Sequence, residues 1–410
     1  MIEGKFKGIA SYPGNPNWDK HIERQQELYQ RENDIRTEYE RDYTRILHSL
    51  AYRRLKHKTQ VFFNIDNDHI CTRMEHVQHV ESVSSTIASY LGLNTELTRA
   101  IAMGHDLGHA PFGHEGEVEL TNIRKQFSLG KFWHEQNGLH MVDDIELLED
   151  NNYCSRNLNL TYAVRDGIIS HCGEVDENGI FPREETIDLT DFKSPGQYQA
   201  YTWEGCVVKI ADKIAYLGRD IEDAIRMKFL SRKELLKLAN ISKKYNEKVI
   251  NTTVIMHNFI ISICENSSPE CGIRLSEQHN KMLKEIKDFN YKYIYLNKRF
   301  EVYRNYTALI IRSIFDVLFN AYSKEKTIEN LYKLKKTYPT IVGDFLNHIN
   351  QYIHLEMIRS KDQKRYTRHI NNKIYYDIGN EIVYVQAIID FISGMTDRYA
   401  ISAFNELIKY

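Results

Sequence analysis

The sequence has few cysteines and no pair of them at the spacing of a metal or redox motif. No CxxC spacing occurs among its six cysteines, which are Cys71, Cys154, Cys172, Cys206, Cys264 and Cys271. Zinc ribbons need such pairs, and disulfide-rich secreted domains carry more cysteines in a shorter chain. The pattern therefore predicts reduced thiols and argues against both of those classes.

Proline, long apolar runs and net charge are also scarce. There are seven prolines against twenty-seven tyrosines, a balance that favours long helices because proline interrupts them. No apolar run reaches the roughly 20 residues of a membrane span, and residues 1–16 lack the apolar region of a signal peptide. A net charge of -2 gives no general attraction to nucleic acid or membranes. We therefore expect a soluble, cytoplasmic, all-α protein with no membrane partner.

One stretch, from His105 to Glu117, concentrates metal-binding side chains. It holds three histidines, an aspartate and two glutamates, separated by small residues. Imidazole and carboxylate groups are the ligands of catalytic transition metals. A single histidine among the seventeen in this chain is more often structural than functional. The cluster as a whole predicts a metal-dependent hydrolytic site.

Other helices must complete the ligand shell. Apolar periodicity predicts helices over 73–91, 95–107 and 203–227, and Pro111 and Gly113 end the second of these. His76 is the best upstream ligand. Asp212 is the best downstream one, because it interrupts an otherwise apolar run where an unpaired acid would be costly to bury. Residues 359–376 are predicted to form a small strand pair or a loop.

These residues resemble the HD-domain superfamily and, more narrowly, the dGTP triphosphohydrolase-like (dNTPase) family. The motifs that carry the resemblance are Thr72-Arg73-Met74-Glu75-His76, Gly104-His105-Asp106-Leu107-Gly108-His109-Ala110-Pro111-Phe112-Gly113-His114-Glu115-Gly116-Glu117, Ile210-Ala211-Asp212-Lys213-Ile214-Ala215-Tyr216, Lys58-Thr59-Gln60-Val61-Phe62 and Gly394-Met395-Thr396-Asp397-Arg398-Tyr399-Ala400. The dipeptide His-Asp alone is weak, whereas this set in this order is specific.

The resemblance implies a fold, a metal site and a reaction. The fold is an all-α HD-domain core extended by N- and C-terminal helices, with at most a small β-hairpin. The division that we predict is an N-terminal arm with helices over 1–55, a catalytic core over 56–230, and a C-terminal helical region over 231–410. One divalent ion per subunit, Mn2+, Mg2+ or Fe2+, is expected. The reaction is hydrolysis of a deoxynucleoside triphosphate to deoxynucleoside and triphosphate. The ligands implied for the ion are His76, His105, Asp106 and Asp212.

The resemblance also implies roles for other side chains. His114 with Glu117 is a candidate pair for placing or deprotonating water, His134 for protonating the departing 5′-oxygen, and His109 for bonding a phosphate oxygen. The sequence does not settle which of these histidines is acid and which is base. The order His134-Glu135-Gln136 is similar to relatives that act on several dNTPs. The residues implied for substrate binding are Gln60, Arg73, Lys213, Tyr216, Asp220 and Tyr303.

Several alternatives remain open from the sequence. Another HD-type phosphohydrolase, acting on a nucleoside monophosphate, a cyclic dinucleotide or a guanosine polyphosphate, would keep the four metal ligands. A nucleic-acid-binding regulator with an inactive HD core would not need them. The arginines between Arg36 and Arg54 form either a solvated face or part of a polyphosphate pocket. The lysines of 333–336 form either a solvated face or a site for single-stranded nucleic acid. The family resemblance also implies a homo-oligomer, a tetramer or hexamer, with a regulatory nucleotide.

Overall fold

The computed structural model of the chain describes residues 4–28, 33–62, 69–172, 178–245, 247–369 and 373–409. In these residues the protein has eighteen α-helices and one two-stranded antiparallel sheet, which confirms the predicted all-α class with a small hairpin. The helices of the first half are α1 (Trp18–His21), α2 (Glu38–His48), α3 (Leu50–Arg54), α4 (Arg73–Leu91), α5 (Thr95–Gly104), α6 (Gly113–Gln126), α7 (His134–His140) and α8 (Tyr162–Ser170). Those of the second half are α9 (Trp203–Arg226), α10 (Arg232–Lys244), α11 (Thr252–Asn266), α12 (Glu277–Asn290), α13 (Phe300–Phe319), α14 (Thr327–Leu334), α15 (Pro339–Tyr352), α16 (Ser360–Tyr366), α17 (Glu381–Ser393) and α18 (Asp397–Leu407).

Helix α4 shows why the sequence places His76 where it does. The Thr72 hydroxyl accepts a hydrogen bond from the Glu75 amide, and the Glu75 carboxylate accepts one from the Thr72 amide. This capping box fixes the first turn, and Gly92 ends the helix with φ of 81°, a conformation that glycine adopts without strain. The helix spans Arg73–Leu91, the range that its periodicity predicts. His76 lies in its buried first turns, beside the apolar face that packs on α5 and α9.

The turn between α5 and α6 carries most of the predicted site. Helix α5 ends at Gly104, three residues before the predicted end, and His105 already caps it. Phe112 then takes a left-handed φ of 64° directly before α6. Gly108 packs so closely on α7 that a β-carbon would lie 2.0 Å from the His134 carbonyl oxygen. The absence of a side chain there lets the turn rest against the start of α7.

Two apolar cores enclose this turn. The first contains the buried faces of α4, α5, α8, α9, α11 and α12, and it extends from Phe6 to Phe300. The second contains α13, α15 and α17, together with Phe112, Leu120 and Ile123 from the turn and from α6. Since the first core includes residues from all three predicted segments, the division at 55/56 and 230/231 stays a prediction. The site lies where the two cores meet.

The small sheet lies in a different place from the one predicted. Strands β1 (Leu147–Glu149) and β2 (Ser155–Asn157) pair antiparallel, with Leu147 opposite Asn157. The segment 359–376, predicted as a strand pair or a loop, instead begins with α16 and has no strand in its described residues. The strand-pair alternative is therefore wrong, and residues 370–372 lie outside the described part of the chain. Both β-strands are only three residues long, too short for alternation to show in the sequence. Among the described helices, none has the length and apolar character needed to cross a membrane.

A candidate metal and catalytic site

Three of the four predicted metal ligands come together from three helices. They are His76 in α4, His105 at the end of α5 and Asp212 in α9, and their ligand atoms all lie within 4.8 Å of one another. His76 Nε2 is 2.9 Å from Asp212 Oδ1 and 3.4 Å from His105 Nε2. His105 Nε2 is 3.8 Å from the same carboxylate oxygen. Both histidines are buried.

The donor set fits a divalent transition-metal ion. His105 Nδ1 donates a hydrogen bond of 2.7 Å to the Ala102 carbonyl oxygen, which leaves the lone pair on Nε2 facing His76 and Asp212. Burial lowers the pKa of His105, so this ring is neutral at pH 7, the form that binds metal. Two nitrogens that share one ion at about 2.0–2.1 Å are separated by about 2.9–3.4 Å. The observed 3.4 Å between the two Nε2 atoms matches this separation.

Asp106, the fourth predicted ligand, is grouped with His105 and His171 rather than with His76 and Asp212. Arg73 Nη1 donates to Asp106 Oδ2 at 2.9 Å, and Asp106 Oδ1 lies 2.9 Å from His109 Nε2 and 3.6 Å from His105 Nε2. Burial disfavours this carboxylate, but His109 and Arg73 outweigh that effect and hold the pKa of Asp106 well below its usual range. Asp106 therefore stays ionised at the edge of the metal cluster.

The four predicted catalytic residues also come together, in one group formed by His109, His114, Glu117 and His134. His109 Nδ1 is 2.6 Å from Glu117 Oε1, and the His134 ring stacks on the His109 ring with 3.8 Å between centroids. His134 Nδ1 lies 3.3 Å from Glu117 Oε2. His114 is the peripheral member, since its Nδ1 is 3.7 Å from Glu117 and its side chain is 75% exposed.

The carboxylates around His134 decide its protonation. Burial alone would lower the pKa of His134, but Glu135 and Glu117 raise it well above the usual value. Burial opposes ionisation of Glu117 in the same way, and His134 and His109 more than compensate, so the pKa of Glu117 is held well below its usual range. Burial, Arg73 and His134 together lower the pKa of His109 to about 4. His134 is thus an imidazolium, and the His109 ring stacked on it is the harder of the two to protonate.

The predicted substrate-binding residues are distributed more widely. Lys213 and Tyr216 are half-buried on α9 and line one cavity with Arg274, Lys284 and Lys287. Asp220 is buried one turn further along the helix, and the Tyr295 hydroxyl donates to it. Burial raises the pKa of Asp220 to about 7, against the effect of that hydrogen bond.

Gln60, Arg73 and Tyr303 occupy three other environments. The Gln60 side-chain oxygen is buried and accepts no hydrogen bond from the described residues, so it is available to a ligand hydroxyl. Arg73 is 1% exposed and bonds Asp106, beside the metal cluster. Tyr303 packs at 6.3 Å from the Phe112 ring, at the end of the turn that carries the site. The roles of these six residues stay predictions.

Sequence reasoning missed His171, Cys172 and Tyr295. His171 is buried between His105 and His134, with ring centroids 5.0 and 5.5 Å away, and Cys172 Sγ lies 3.5 Å from His134 Nε2. In the sequence, His171 is a single histidine at the end of an apolar helix, and nothing there distinguishes it from a structural residue. Tyr295 follows a lysine-rich helix 75 positions from Asp220. In the sequence, Tyr295 differs in no way from the many other aromatic residues around it.

The N-terminal arginines are largely occupied by carboxylates and carbonyls. Arg36 pairs with Asp34, Arg41 with Glu38, and Arg54 with Glu146. Arg45 donates to the carbonyl oxygens of Leu158 and Asn157. These contacts favour the structural alternative over a polyphosphate pocket for this group.

Comparison with known proteins agrees with the geometry. The HD domain family matches residues 73–217, the segment that contains all four predicted metal ligands. Similar proteins include three that are named deoxyguanosinetriphosphate triphosphohydrolase-like protein. The one from Caldanaerobacter subterraneus subsp. tengcongensis is 29% identical over 407 residues, 99% of this chain and 94% of that protein. The one from Pelagibacter ubique is 30% identical over 387 residues, 90% and 92% of the two chains, and the one from Clostridium tetani is 30% identical over 388 residues, 93% and 88%. The chain therefore belongs to the deoxyguanosinetriphosphate triphosphohydrolase-like family of HD-domain hydrolases.

Proposed function

We propose that the protein is a metal-dependent deoxynucleoside triphosphate triphosphohydrolase. It would convert a dNTP, either dGTP or several dNTPs, and water into a deoxynucleoside and triphosphate. The observation that carries the proposal is the contact chain from Asp106 through His109 and Glu117 to His134, which begins beside the metal cluster and ends at an imidazolium. The names of the similar proteins support the same reaction.

The metal cluster would hold one ion through His76, His105 and Asp212, with Asp106 beside it. A divalent ion bound there, Mn2+, Mg2+ or Fe2+, supplies Lewis acidity to a phosphate oxygen and lowers the pKa of water. Arg73 donates to Asp106, the carboxylate beside the metal cluster, and its positive charge would attract the phosphates. Lys213 follows Asp212 directly and adds a second cation. These residues bind and orient the triphosphate.

His134 is the proposed proton donor to the leaving group. Water adds to the α-phosphorus and releases one proton to solvent, and the bond from that phosphorus to O5′ breaks. O5′ takes a proton from the His134 imidazolium, which then regains a proton from solvent. The adjacent carboxylates Glu117 and Glu135 keep that proton on His134 at neutral pH. An alkoxide leaves poorly without a proton, so this group accounts for the break at O5′.

The geometry favours His114 over His109 for contact with the attacking water. Both ring nitrogens of His109 are covered by carboxylate oxygens, Nε2 at 2.9 Å from Asp106 and Nδ1 at 2.6 Å from Glu117. His114 is exposed and remains within 3.7 Å of the ionised Glu117. His109 then acts as a positioning residue that connects Asp106 with Glu117, and it is not required to bond a phosphate oxygen.

Substrate selection is proposed to use Gln60, Tyr216, Asp220 and Tyr303 around the deoxyribose. The unpartnered buried oxygen of Gln60 suits the 3′-hydroxyl, which would donate to it. Asp220 is held in place by Tyr295, and a tyrosine packed under C2′ would exclude a ribose.

A homo-oligomer, a tetramer or hexamer, and a regulatory nucleotide are proposed from the family resemblance. Single-stranded nucleic acid remains a weaker proposal, since Lys333 of the lysine-rich segment pairs with Glu329 on an exposed face.

The test is a product assay over the four dNTPs, alone and as a mixture, with Mn2+, Mg2+ or Fe2+. We expect triphosphate and deoxynucleoside in equal amounts, and no turnover in EDTA. Higher activity in the mixture than with any single dNTP would identify a regulatory nucleotide. Release of pyrophosphate or single phosphate would contradict the proposal and would favour another HD-type phosphohydrolase.

A further inference from the structure

A further group of metal-ligand side chains lies next to the metal cluster and includes the catalytic residue His134. It consists of His134, His171 and Cys172, whose ligand atoms all lie within 4.8 Å of one another. His134 and His171 are buried, and Cys172 is half-buried. This group is distinguished from the other candidate metal groups in the described residues by its sulfur ligand.

His171 is oriented as a metal ligand by its own helix end. Its Nδ1 donates a hydrogen bond of 2.7 Å to the Ile168 carbonyl oxygen, three residues earlier. His105 makes the same contact with Ala102 at the same distance. In both rings the bond leaves Nε2 with its lone pair.

The spacing of the other two ligands matches a tetrahedral metal site. Cys172 Sγ lies 3.5 Å from His134 Nε2. A tetrahedral ion with a sulfur at about 2.3 Å and a nitrogen at about 2.0–2.1 Å places these atoms about 3.5 Å apart. Sulfur and imidazole together select Zn2+ over Mg2+ or Mn2+, which prefer oxygen. We propose that His134, His171 and Cys172 form a second metal site, for a thiophilic divalent ion such as Zn2+, beside the site of the catalytic ion.

Occupancy of this site would inhibit the enzyme, a consequence that rests on the function proposed above. On binding, the Cys172 thiol releases its proton to solvent, and so does His134 Nε2. The ion then uses the Nε2 lone pair of His134. Because the proposed leaving-group proton resides on this imidazole, a zinc-loaded subunit has no donor for O5′.

The binding test uses Co2+ as a probe on the full-length protein after removal of metal with a chelator. A thiolate bound to Co2+ gives a charge-transfer band in the near ultraviolet, whereas histidine and carboxylate ligands give none. We expect this band to appear and to saturate when both metal sites are filled, at two Co2+ per chain. In Cys172→Ser and in Cys172→Ala the band should be absent, while circular dichroism stays that of the wild-type protein.

Cys154→Ser is the matched control, because Cys154 is also half-buried and lies in a different part of the chain. It should keep the full band. With Zn2+ in slight excess, metal analysis should find two ions per wild-type chain and one per Cys172→Ser chain. A wild-type protein without the band, or a band that survives in both Cys172 variants, would overturn the site.

The inhibitory role has a separate test. The initial rate of triphosphate release with Mn2+ is measured as Zn2+ is added, and each variant is compared with its own rate without zinc. We expect Cys172→Ser to need at least tenfold more Zn2+ for half-inhibition than the wild-type protein or Cys154→Ser. Equal sensitivity would show that zinc displaces the catalytic ion and would refute this role. If no dNTP is hydrolysed, the proposed function fails, whereas the cobalt band still tests the site.

Discussion

His109 uses both of its ring nitrogens, one 2.9 Å from Asp106 Oδ1 and the other 2.6 Å from Glu117 Oε1. Stacked on it is His134, whose charge is stabilised by Glu117 and Glu135. A buried imidazolium is costly unless a carboxylate lies beside it, and here two do. At the scale of single residues, the site therefore separates a connecting histidine with a lowered pKa from a charged one that can donate its proton.

Replacing His134 by glutamine tests this separation. We expect kcat for triphosphate release to fall by about 10²–10⁴, the usual contribution of a general acid, with the bound Mn2+ unchanged. Asp212→Asn is the comparison variant and should lose both Mn2+ and activity. Metal analysis and steady-state kinetics on the two variants show whether His134 donates a proton or binds the catalytic ion. Loss of Mn2+ in His134→Gln would make His134 a ligand of the catalytic ion, and full turnover would remove it from the mechanism.

Helix α18 holds the catalytic turn from a distance of nearly 300 residues along the chain. Asp397, its first residue, accepts hydrogen bonds from the Thr59 amide and hydroxyl at 3.1 and 2.8 Å and from the Phe112 amide at 2.8 Å. Buried Lys58 donates in parallel to the carbonyl oxygens of His109 and Ser393. These contacts join the segment that carries Gln60 to the turn that carries His105–Glu117. The motif around Asp397 in the sequence thus has a positioning role.

Removal of the Asp397 carboxylate should weaken this connection. Asp397→Ala leaves three donors without their acceptor, at a cost of about 2–4 kcal/mol in the free energy of unfolding, and we expect a lower melting temperature. We also expect a higher KM for the dNTP, because Gln60 and the catalytic turn lose their common anchor. The neighbouring Arg398 is exposed, and Arg398→Ala should change stability by less than about 0.5 kcal/mol. Equal melting temperatures for the two variants would contradict the anchoring role.

Across the whole molecule, an ion pair between half-buried His140 and buried Asp390 links the active-site helix α7 to the second core. His140 Nε2 lies 3.1 Å from Asp390 Oδ2, and Asp390 also accepts from the Tyr375 hydroxyl at 2.9 Å. Burial would lower the pKa of His140, but Asp390 and Asp144 raise it well above the usual value. Burial opposes ionisation of Asp390, and His140 keeps its pKa below the usual value. This pair stabilises the junction of the two cores only while His140 is protonated.

The pair predicts a pH dependence of stability. Because the pKa of His140 is raised on folding, its contribution is complete below about pH 6.5 and is lost as pH rises through the raised pKa. His140→Gln should therefore lower the melting temperature most near pH 6, and the difference from the wild-type protein should shrink at alkaline pH. His354 is exposed, and His354→Gln should follow the wild-type profile throughout. Melting curves at fixed metal concentration from pH 6 to pH 9 give the melting temperatures of both variants and of the wild-type protein. A difference between His140→Gln and the wild-type protein that grows with pH would contradict the prediction.

Much of the local structure was predictable, because helix caps and apolar periodicity are properties of neighbouring residues. The bounds of α4 follow from Thr72, Glu75 and Gly92, and the family was recognisable because the motifs resemble those of its members. Helix α5 was predicted three residues too long, since His105 caps the helix and nothing in the local sequence requires it to stop there. The short strands and helix α16 were missed because three to seven residues carry too little periodicity.

The sequence by itself determined the fold class, the family and the residue types available for metal and proton chemistry. Only the tertiary structure decided which of them meet. It brought His76, His105 and Asp212 together, grouped Asp106 with His171 and placed Cys172 against His134. It also made Asp397 an anchor for Thr59 and Phe112. Contacts between residues so far apart depend on how α4, α9 and α18 pack on the two cores, and this packing is a property of the whole chain.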